Sequence, residues 1–168
     1  TRQIEGLVHE VFPRALNFVA HGVNVMLVGP AGSGKTTLAG QIAEALGVPC
    51  YATGAIYHKY DLTGMQTATG EYIPSDFRKA YEFGGVFLFD EIDSSAPEAL
   101  VAFNSALANG HANFPDGQVQ KHPKCYPMAA ANTYGKGADR IYVGRTQLDG
   151  STLDRFAILN MDYDERLE

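Results

Sequence analysis

Short apolar runs alternate with stretches of helical spacing along this chain. Residues 23–28 form a nearly continuous apolar run that ends at Gly29, a pattern typical of a central parallel strand covered on both faces. Residues 36–46 place apolar side chains at helical spacing, and the run stops at Gly47, a residue type favoured just beyond helix C-termini. Because strands and helices alternate, the pattern predicts an α/β domain with a parallel sheet and right-handed crossovers.

The remaining elements are predicted from the same kinds of signal. Ser75 is suited to cap a helix over residues 76–83, and Pro97 is suited to begin another that runs to about residue 108. Pro13 is expected to divide the apolar-periodic residues 4–19 into two short helices. Four further strands are predicted at residues 48–53, 86–89, 126–131 and 157–161.

Two segments interrupt this alternation. Residues 54–75 are rich in glycine and threonine and predict a long loop with a hairpin at Thr69-Gly70. A polar excursion of this length is more often functional than a simple connection. Residues 113–119 predict a second hairpin, with Asp116-Gly117 as its two-residue turn, because Asp-Gly is a preferred dipeptide in such turns.

Length and composition predict one globular domain, residues 1–168, in which 45% of residues are apolar and 19% charged. The net charge of −6 and the lack of a Lys/Arg run argue against broad electrostatic binding of nucleic acid, although a local basic groove stays open as an alternative. Cys50 and Cys125 alone do not make a disulfide scaffold. The sequence shows neither a signal-peptide core nor an apolar run of the ~20 residues that a membrane span needs, so we expect a cytoplasmic protein.

Residues 29–36 carry the strongest chemical signal, because GPAGSGKT fits the phosphate-loop pattern G-x-x-x-x-G-K-[ST] between a strand and a helix. Glycines let backbone N–H groups approach phosphate oxygens, and the helix N-terminus adds the positive end of its dipole. Lys35 is expected to reach the β- and γ-phosphates, and Thr36 to place its hydroxyl on Mg²⁺. The predicted nucleotide-binding residues are Gly29, Pro30, Ala31, Gly32, Ser33, Gly34, Lys35, Thr36 and Thr37.

Asp90 and Glu91 follow the apolar run 86–89 and form the second half of the predicted site. One carboxylate is needed to hold Mg²⁺, and another to orient or deprotonate the attacking water. We assign Asp90 to the metal and Glu91 to the water. Both could instead be solvated residues at a strand end. The phosphate loop upstream makes this alternative less favoured.

Asn132 ends the fourth predicted strand, where its amide could hydrogen-bond the γ-phosphate or the attacking water. Taken alone, an Asn before a loop is more often a turn former. Its position serves the site only if that strand lies between the phosphate-loop strand and the Asp90 strand. A short helix capped by Ser151 is predicted before the last strand. Arg155 could cap that helix, pair with Asp154 or Asp162, or act as an arginine finger that stabilises charge on the transferred phosphoryl group.

A zinc site receives less support from the sequence. His111, His122 and Cys125 lie close together in the chain, but their spacing matches no zinc pattern. Buried or turn-forming roles are favoured for all three residues.

The combination of motifs resembles the AAA+ ATPases, in particular their MoxR-related branch. The resemblance rests on a Walker A loop at residues 29–36, a Walker B segment at 86–91, Asn132, and Leu-Asp-Arg-Phe at 153–156. Shorter stretches resemble the ATPase subunit of aerobic cobaltochelatase and similar phage-borne ATPases, namely residues 104–110, 117–119, 122–123 and 131–133.

The resemblance implies a P-loop NTPase three-layer sandwich, with a five-stranded parallel sheet in the order 5-1-4-3-2. It also implies ATP as substrate, Asn132 as sensor 1, and Arg155 as a finger that acts in trans in a ring, usually a hexamer. Residues 54–75 and 111–120 correspond to surfaces that the family uses for substrates or neighbours.

Two departures limit what the resemblance implies. The chain stops at Glu168, so the helical lid of the family and its sensor-2 arginine are expected to lie outside this sequence. The segment from 135 to 145 carries more positive charge than the chelatase subunit, so Arg140 and Arg145 stay open as alternative fingers.

The resemblance favours a homo-oligomeric ATPase that remodels a partner protein. Three alternatives stay open: the ATPase subunit of a metal chelatase, a nucleic-acid remodeller or loader, and a nucleotide-gated scaffold with negligible hydrolysis. The net acidity does not favour the nucleic-acid alternative. A small-molecule kinase ranks last, because the acidic pair and Asn132 suit activation of water.

Overall fold

The computed structural model describes residues 8–132, 142–143, 146–147 and 154–162. Its helices are α1 Phe12–Ala20, α2 Lys35–Leu46, α3 Lys59–Thr63, α4 Asp76–Phe83 and α5 Pro97–Asn109, with a 3₁₀ turn at Ile92–Ser94. Its strands are β1 Val25–Gly29, β2 Cys50–Thr53, β3 Met65–Gln66, β4 Tyr72–Ile73, β5 Gly85–Phe89, β6 His111–Phe114, β7 Gly117–Gln120, β8 Cys125–Asn132, β9 Tyr142–Val143, β10 Thr146–Gln147 and β11 Ala157–Asn160.

Five strands form one parallel sheet in the order β11-β1-β8-β5-β2. Counted along the chain among these five strands, the order is 5-1-4-3-2, so the predicted α/β fold is confirmed. Strand β8 lies between β1 and β5, and its last residue, Asn132, pairs with Gly29 at the end of β1. Because the strands are parallel, the carboxyl ends of β1, β8 and β5 meet at one edge of the sheet.

Alternate residues of the central strands face two separate apolar layers. Val25 and Leu27 of β1 pack with side chains from α1 and α2, whereas Met26 and Val28 pack with side chains from α4 and α5. All five residues of β1 and all five of β5 are buried, as expected for strands covered on both faces. The predicted three-layer arrangement is therefore confirmed.

An aromatic cluster fills the layer between the sheet and α4 and α5. The Phe77 ring lies 5.0 Å from the Phe87 ring, and the Phe103 ring lies 5.1 Å from that of Phe89. Phe156, just before β11, stacks on Phe103 with ring centroids 6.2 Å apart. Aromatic pairs at these separations stabilise a core beyond the area that they bury.

The N-terminal helix differs from the prediction. Pro13 lies in the first turn of a single helix, α1, rather than dividing two helices. The first turn tolerates proline because its N–H groups have no partner within the helix. Residues 8–11 are not helical, and residues 1–7 lie outside the described part of the chain.

The hairpin of β6 and β7 also differs from the prediction. Phe114 pairs with Gly117, so the two turn residues are Pro115 and Asp116 rather than Asp116 and Gly117. A type I′ turn needs positive φ at both central residues, which the ring of Pro115 forbids. Gly117 instead takes the positive φ, 135°, as the first residue of β7.

The hairpin predicted at Thr69-Gly70 is present, with β3 and β4 antiparallel and Gly70 at φ 87°. Residues 54–75 also contain the short helix α3, which was not predicted. Within the described residues, no helix is long and apolar enough to cross a membrane.

Candidate active site

The loop between β1 and α2 has the backbone that the phosphate-loop motif predicts. Gly32 and Gly34 have φ values of 80° and 88°, in the left-handed region that glycine adopts without a Cβ clash. Gly34 is the N-cap of α2, and Lys35 is the first residue of that helix. The loop therefore wraps the N-terminus of a 12-residue helix, where free N–H groups and the helix dipole favour an anion.

Lys35 is buried within this loop, and its ammonium group contacts the loop itself. Nζ donates to the carbonyl oxygens of Gly29 and Pro30 at 2.9 and 2.8 Å, and lies 3.4 Å from Ser33 Oγ. Burial lowers the pKa of Lys35 below its ordinary value of 10.5, against the opposing attraction of the carboxylates of Asp90 and Asp93. The ammonium group is thus desolvated and placed beside the predicted phosphate position.

The metal-binding candidates lie at the start of α2 and the end of β5. Thr36 Oγ1 donates to Asp90 Oδ2 at 3.4 Å, so the hydroxyl and the carboxylate predicted to share Mg²⁺ face each other. Asp90 is held from both sides, since its N–H donates to Thr53 O at 2.9 Å and its Oδ1 accepts from the N–H of Glu91 at 2.8 Å.

Glu91 has an unusual backbone conformation for a residue other than glycine. Its φ of 51° and ψ of 37° are left-handed, and among the described residues it is the sole non-glycine with positive φ. Such conformations persist only where the surrounding contacts determine them, and they cluster at active sites. A Cβ placed on Gly54 would lie 3.7 Å from Glu91 Oε2, so Gly54 lies beside the Glu91 carboxylate.

A cleft of about 390 Å³ opens at this edge of the sheet. Asn132, half-buried at the end of β8, reaches the cleft because β8 lies between β1 and β5. The cleft is lined by Ala31, Gly32, Gly34, Lys35, Thr36, Thr37, Asp90, Glu91 and Asn132. The structure therefore brings the predicted loop, the acidic pair and Asn132 around one cleft.

Arg155 does not line this cleft. It is exposed in the turn before β11, whose first residue, Ala157, pairs with Val25 at the start of β1. The phosphate loop begins at the other end of β1, roughly 13 Å away along a five-residue strand. Arg155 is accordingly separated from the cleft of its own chain by the length of β1. The alternative fingers, Arg140 and Arg145, lie outside the described residues.

Sequence reasoning missed three contributors to this site. Ser95 Oγ donates to the carbonyl oxygen of Glu91 at 3.3 Å and accepts from the N–H of Ile56 at 2.9 Å. The buried His9 accepts from the N–H of Val11 at Nδ1, which leaves Nε2 as the donor to Asp162 O at 2.7 Å. The third is Gly54, beside the Glu91 carboxylate. No local sequence pattern marks the contacts of Ser95 with Ile56, of His9 with Asp162, or of Gly54 with Glu91, because each joins segments far apart in the chain.

The end of β11 also supports the phosphate loop. A Cβ placed on Gly29 would lie 1.9 Å from Met161 O, so only glycine permits this approach of the two backbones. The N–H of Met161 donates to Val28 O at 2.7 Å. His9 then holds the next residue, Asp162, through its carbonyl oxygen.

Arg78 joins the two hairpins that border this half of the molecule. Its guanidinium group donates to Glu82 and Asp116, each at 2.6 Å, and lies 4.9 Å from the ring of Tyr72 and 4.7 Å from that of Phe114. Burial opposes the charge on Arg78, but the hydrogen bonds to both carboxylates outweigh it and raise the pKa of Arg78. The hydrogen bond from Arg78 lowers the pKa of Asp116. The β3–β4 and β6–β7 hairpins thus share one cation.

The residues of the weaker zinc hypothesis have other contacts. His122 Nδ1 accepts from the N–H of Lys124 at 2.9 Å, and His111 Nδ1 lies 3.2 Å from the amide nitrogen of Gln118. In the described part of the chain, no group of three His, Cys, Asp or Glu side chains could hold a metal ion.

Comparisons with known proteins agree with the motifs. A model of the AAA domain (dynein-related subfamily) matches residues 24–156. The aerobic cobaltochelatase subunit CobS from Sinorhizobium sp. is 28% identical over 153 residues, which are 83% of this chain and 46% of CobS. The uncharacterized protein YojN of Bacillus subtilis is 29% identical over 160 residues, which are 89% of this chain and 51% of YojN. The chain thus spans about half the length of these relatives.

Solved structures share the fold. A protein from Cytophaga hutchinsonii, provisionally named an ATPase, superposes with a TM-score of 0.70 at 17% identity, over 91% of this chain and 46% of its own. NtrX from Brucella abortus in complex with ADP gives a TM-score of 0.66 at 15% identity, over 94% of this chain and 37% of its own.

Proposed function

The chain belongs to the AAA domain family, in its dynein-related subfamily, and we propose that it binds ATP with Mg²⁺ and hydrolyses it to ADP and phosphate. The observation that carries the proposal is the cleft at the carboxyl ends of β1, β8 and β5. A buried ammonium group, a threonine hydroxyl, two adjacent carboxylates and an amide line that cleft together.

Lys35 supplies the main positive charge for the triphosphate. Its ammonium nitrogen lies 2.8 to 3.4 Å from three oxygen atoms of its own loop. Phosphate oxygens can replace these neutral acceptors, because a negatively charged acceptor adds the attraction of an ion pair to the hydrogen bond from the ammonium group. Because the site is partly desolvated, the attraction between Lys35 and phosphate is stronger than in bulk water.

The donor set at the metal position fits Mg²⁺. Thr36 Oγ1 and Asp90 Oδ2 are hard oxygen ligands that face each other at 3.4 Å, and Mg²⁺ is usually bound through one or two such groups together with phosphates and waters. When bound there, Mg²⁺ supplies charge neutralisation on the phosphate oxygens. Asp90 is the group best placed for this role, because two backbone contacts hold its carboxylate and its amide.

Glu91 acts as the general base for the attacking water. Water oxygen forms a bond to the γ-phosphorus, its proton passes to the Glu91 carboxylate, and the bond to the bridging oxygen breaks so that ADP leaves. Asn132 donates its amide N–H to the γ-phosphate or accepts from the water. Both side chains line the cleft beside the phosphate loop, which is the position that these roles require.

Hydrolysis depends on assembly into a ring, with a hexamer as the expected size. Arg155 is exposed and lies at the opposite end of β1 from its own phosphate loop, which suits action on a neighbouring subunit. An arginine finger is worth on the order of 10³–10⁵ in rate, so an isolated subunit hydrolyses ATP slowly.

The cycle remodels a partner protein, in the manner of the MoxR-related branch. Four large apolar side chains on residues 54–75 are exposed and offer a surface for such a partner: Tyr57, Tyr60, Met65 and Ile73. A second candidate function is service as the ATPase subunit of a metal chelatase, favoured by the match to CobS over 83% of this chain.

The test compares Glu91→Gln with Glu44→Gln in the assembled full-length protein. Glu44 is exposed on α2, away from the lining of the cleft, so its substitution makes the same chemical change outside the site. Glu91→Gln is expected to keep ATP affinity and to lose at least about 100-fold in kcat, the lower range for a general base. Glu44→Gln is expected to match the wild type.

Mixed assemblies of two variants test whether Arg155 acts on the site of a neighbouring subunit. Glu91→Gln and Arg155→Ala subunits, each assembled alone, are expected to hydrolyse ATP at least about 100-fold more slowly than the wild type. A mixture should recover part of the activity, because some interfaces then pair an intact base with an intact finger. Full activity of Glu91→Gln would refute the assignment of the base, and a mixture without recovery would refute the role of Arg155.

A further inference from the structure

The left-handed backbone of Glu91 raises the question of what holds it there. An L-residue at φ 51° brings its Cβ close to a carbonyl oxygen, so this state needs support from neighbouring groups. Part of that support is local, since the N–H of Glu91 donates to Asp90 Oδ1 at 2.8 Å and its carbonyl oxygen accepts from the N–H of Ser94 at 2.9 Å.

Further support comes from Ser95. The Ser95 hydroxyl donates to the carbonyl oxygen of Glu91 at 3.3 Å. Its oxygen atom, Ser95 Oγ, accepts from the N–H of Ile56 at 2.9 Å. A hydroxyl group has one proton to donate and two lone pairs to accept with, so both contacts can exist at once. Ser95 thus joins the peptide group of Glu91 to a segment 39 positions earlier in the chain.

That earlier segment is itself held firmly beside Glu91. The side chain of Ile56 is buried, and its carbonyl oxygen accepts from the N–H of Ala96 at 2.8 Å. Two residues before it, Gly54 faces the Glu91 carboxylate, with its ideal Cβ position 3.7 Å from Oε2. The contacts of Ser95 therefore fix the backbone of Glu91 and the wall beside its carboxylate at the same time.

We propose that Ser95 is a positioning residue for Glu91. Its hydroxyl holds the Glu91 backbone in the left-handed state that directs the carboxylate into the cleft, and it keeps the segment 54–56 in place beside that carboxylate. Ser95 is not part of the lining of the cleft and acts through Glu91. The inference rests on the proposed role of Glu91 as general base.

The test measures ATP hydrolysis and nucleotide binding in the assembled full-length protein for Ser95→Ala, Ser95→Thr and Ser94→Ala. Ser95→Ala is expected to lower kcat about five- to tenfold, because one hydrogen bond that supports the chemical step is lost. KM and the Kd for a non-hydrolysed ATP analogue are expected to be unchanged. Ser95→Thr keeps the hydroxyl and is expected to restore most of kcat. Ser94 reaches Glu91 through its backbone amide, so Ser94→Ala is expected to leave kcat unchanged.

Three results would overturn the inference. The first is an unchanged kcat in Ser95→Ala, and the second is an equal loss of nucleotide affinity and kcat, which would indicate a general structural role. The third is a further five- to tenfold loss when Ser95→Ala is added to Glu91→Gln, because residues that act through one another are not additive. Where Ser95→Ala does not fold, Ser95→Cys keeps an unbranched side chain that fills the site with a weaker donor, and it is also expected to lower kcat.

Failure of this inference is distinguishable from failure of the proposed function. Wild-type activity in Glu91→Gln would remove the general base and the role of Ser95 together. If the Glu91→Gln variant is inactive while the separate Ser95→Ala variant is fully active, the proposed function stands and the positioning role of Ser95 alone is refuted.

Discussion

Gly29→Ala tests how closely the end of β11 approaches the phosphate loop. The new Cβ would lie 1.9 Å from Met161 O and 3.0 Å from Met161 C, far inside van der Waals contact. Both atoms belong to the backbone, so no change of rotamer can relieve the clash. The two segments must separate, and the hydrogen bond from the N–H of Met161 to Val28 O, 2.7 Å long, is lost or weakened.

The size of the effect follows from these contacts. Overpacking a close-packed site costs about 1–3 kcal/mol, and loss of one backbone hydrogen bond adds about 1 kcal/mol. We therefore expect Gly29→Ala to lower the free energy of unfolding by about 2–4 kcal/mol. Gly40→Ala is the matched control, because Gly40 lies inside α2 and no atom outside the adjacent turns of that helix lies within 4 Å of its Cβ position. Alanine in a helix interior is expected to raise stability by about 0.5–1 kcal/mol.

Urea unfolding followed by far-UV circular dichroism measures both variants against the wild type. The chain contains no tryptophan, so a backbone signal is preferable to intrinsic fluorescence. The midpoints are compared only between proteins with the same slope of unfolding free energy against urea concentration. An altered slope would indicate a change in the surface exposed on unfolding rather than in stability alone. A Gly29→Ala variant as stable as the wild type would refute the proposed close approach. Equal destabilisation by Gly40→Ala would show that the clash is not the cause.

Three further predictions concern buried polar groups. Burial lowers the pKa of Lys35, so at a pH above that lowered pKa Lys35 should take up a proton when the triphosphate binds, and affinity should fall as pH rises through it. Titration calorimetry in buffers of different ionisation enthalpy measures this proton uptake. Binding without proton uptake at alkaline pH would contradict the reasoning. Arg78→Met should lower the free energy of unfolding by about 1–3 kcal/mol. Because Arg78 lowers the pKa of Asp116, its contribution is present above the ordinary pKa of 3.8 and lost as pH falls through the lowered value, so acid unfolding curves of the wild type and the variant should converge. His9→Ala removes the 2.7 Å hydrogen bond to Asp162 O and should cost about 1–3 kcal/mol by the same assay, and an unchanged midpoint would exclude a structural role for His9.

The phosphate loop and the acidic pair could be predicted because each is encoded in a short run of neighbouring residues. An apolar strand, a glycine-rich turn and a helix start fall within residues 23–46, and periodicity and glycine chemistry operate over that range. The strand order followed from the resemblance to a family rather than from periodicity. Periodicity states that a segment is a strand, whereas the partner of a strand depends on contacts with distant parts of the chain.

Local rules also failed where two of them competed. Asp116-Gly117 has the preferred composition of a hairpin turn, but Pro115 moved the turn by one residue because its ring excludes a positive φ. Proline breaks helix interiors, yet Pro13 is accommodated in the first turn of α1 because that turn has no hydrogen bond for it to remove. In both cases the deciding fact was the position of proline within the element.

The sequence by itself determined which residues are candidates for the chemistry: the loop that ends in Lys35 and Thr36, and the pair Asp90 and Glu91. Only the tertiary structure decided how they meet, because insertion of β8 between β1 and β5 brings Asn132 beside Gly29. It also decided the left-handed state of Glu91 and the separation of Arg155 from its own loop. Residue types follow from chemical need over a few positions, whereas distances across a sheet follow from the packing of the whole core.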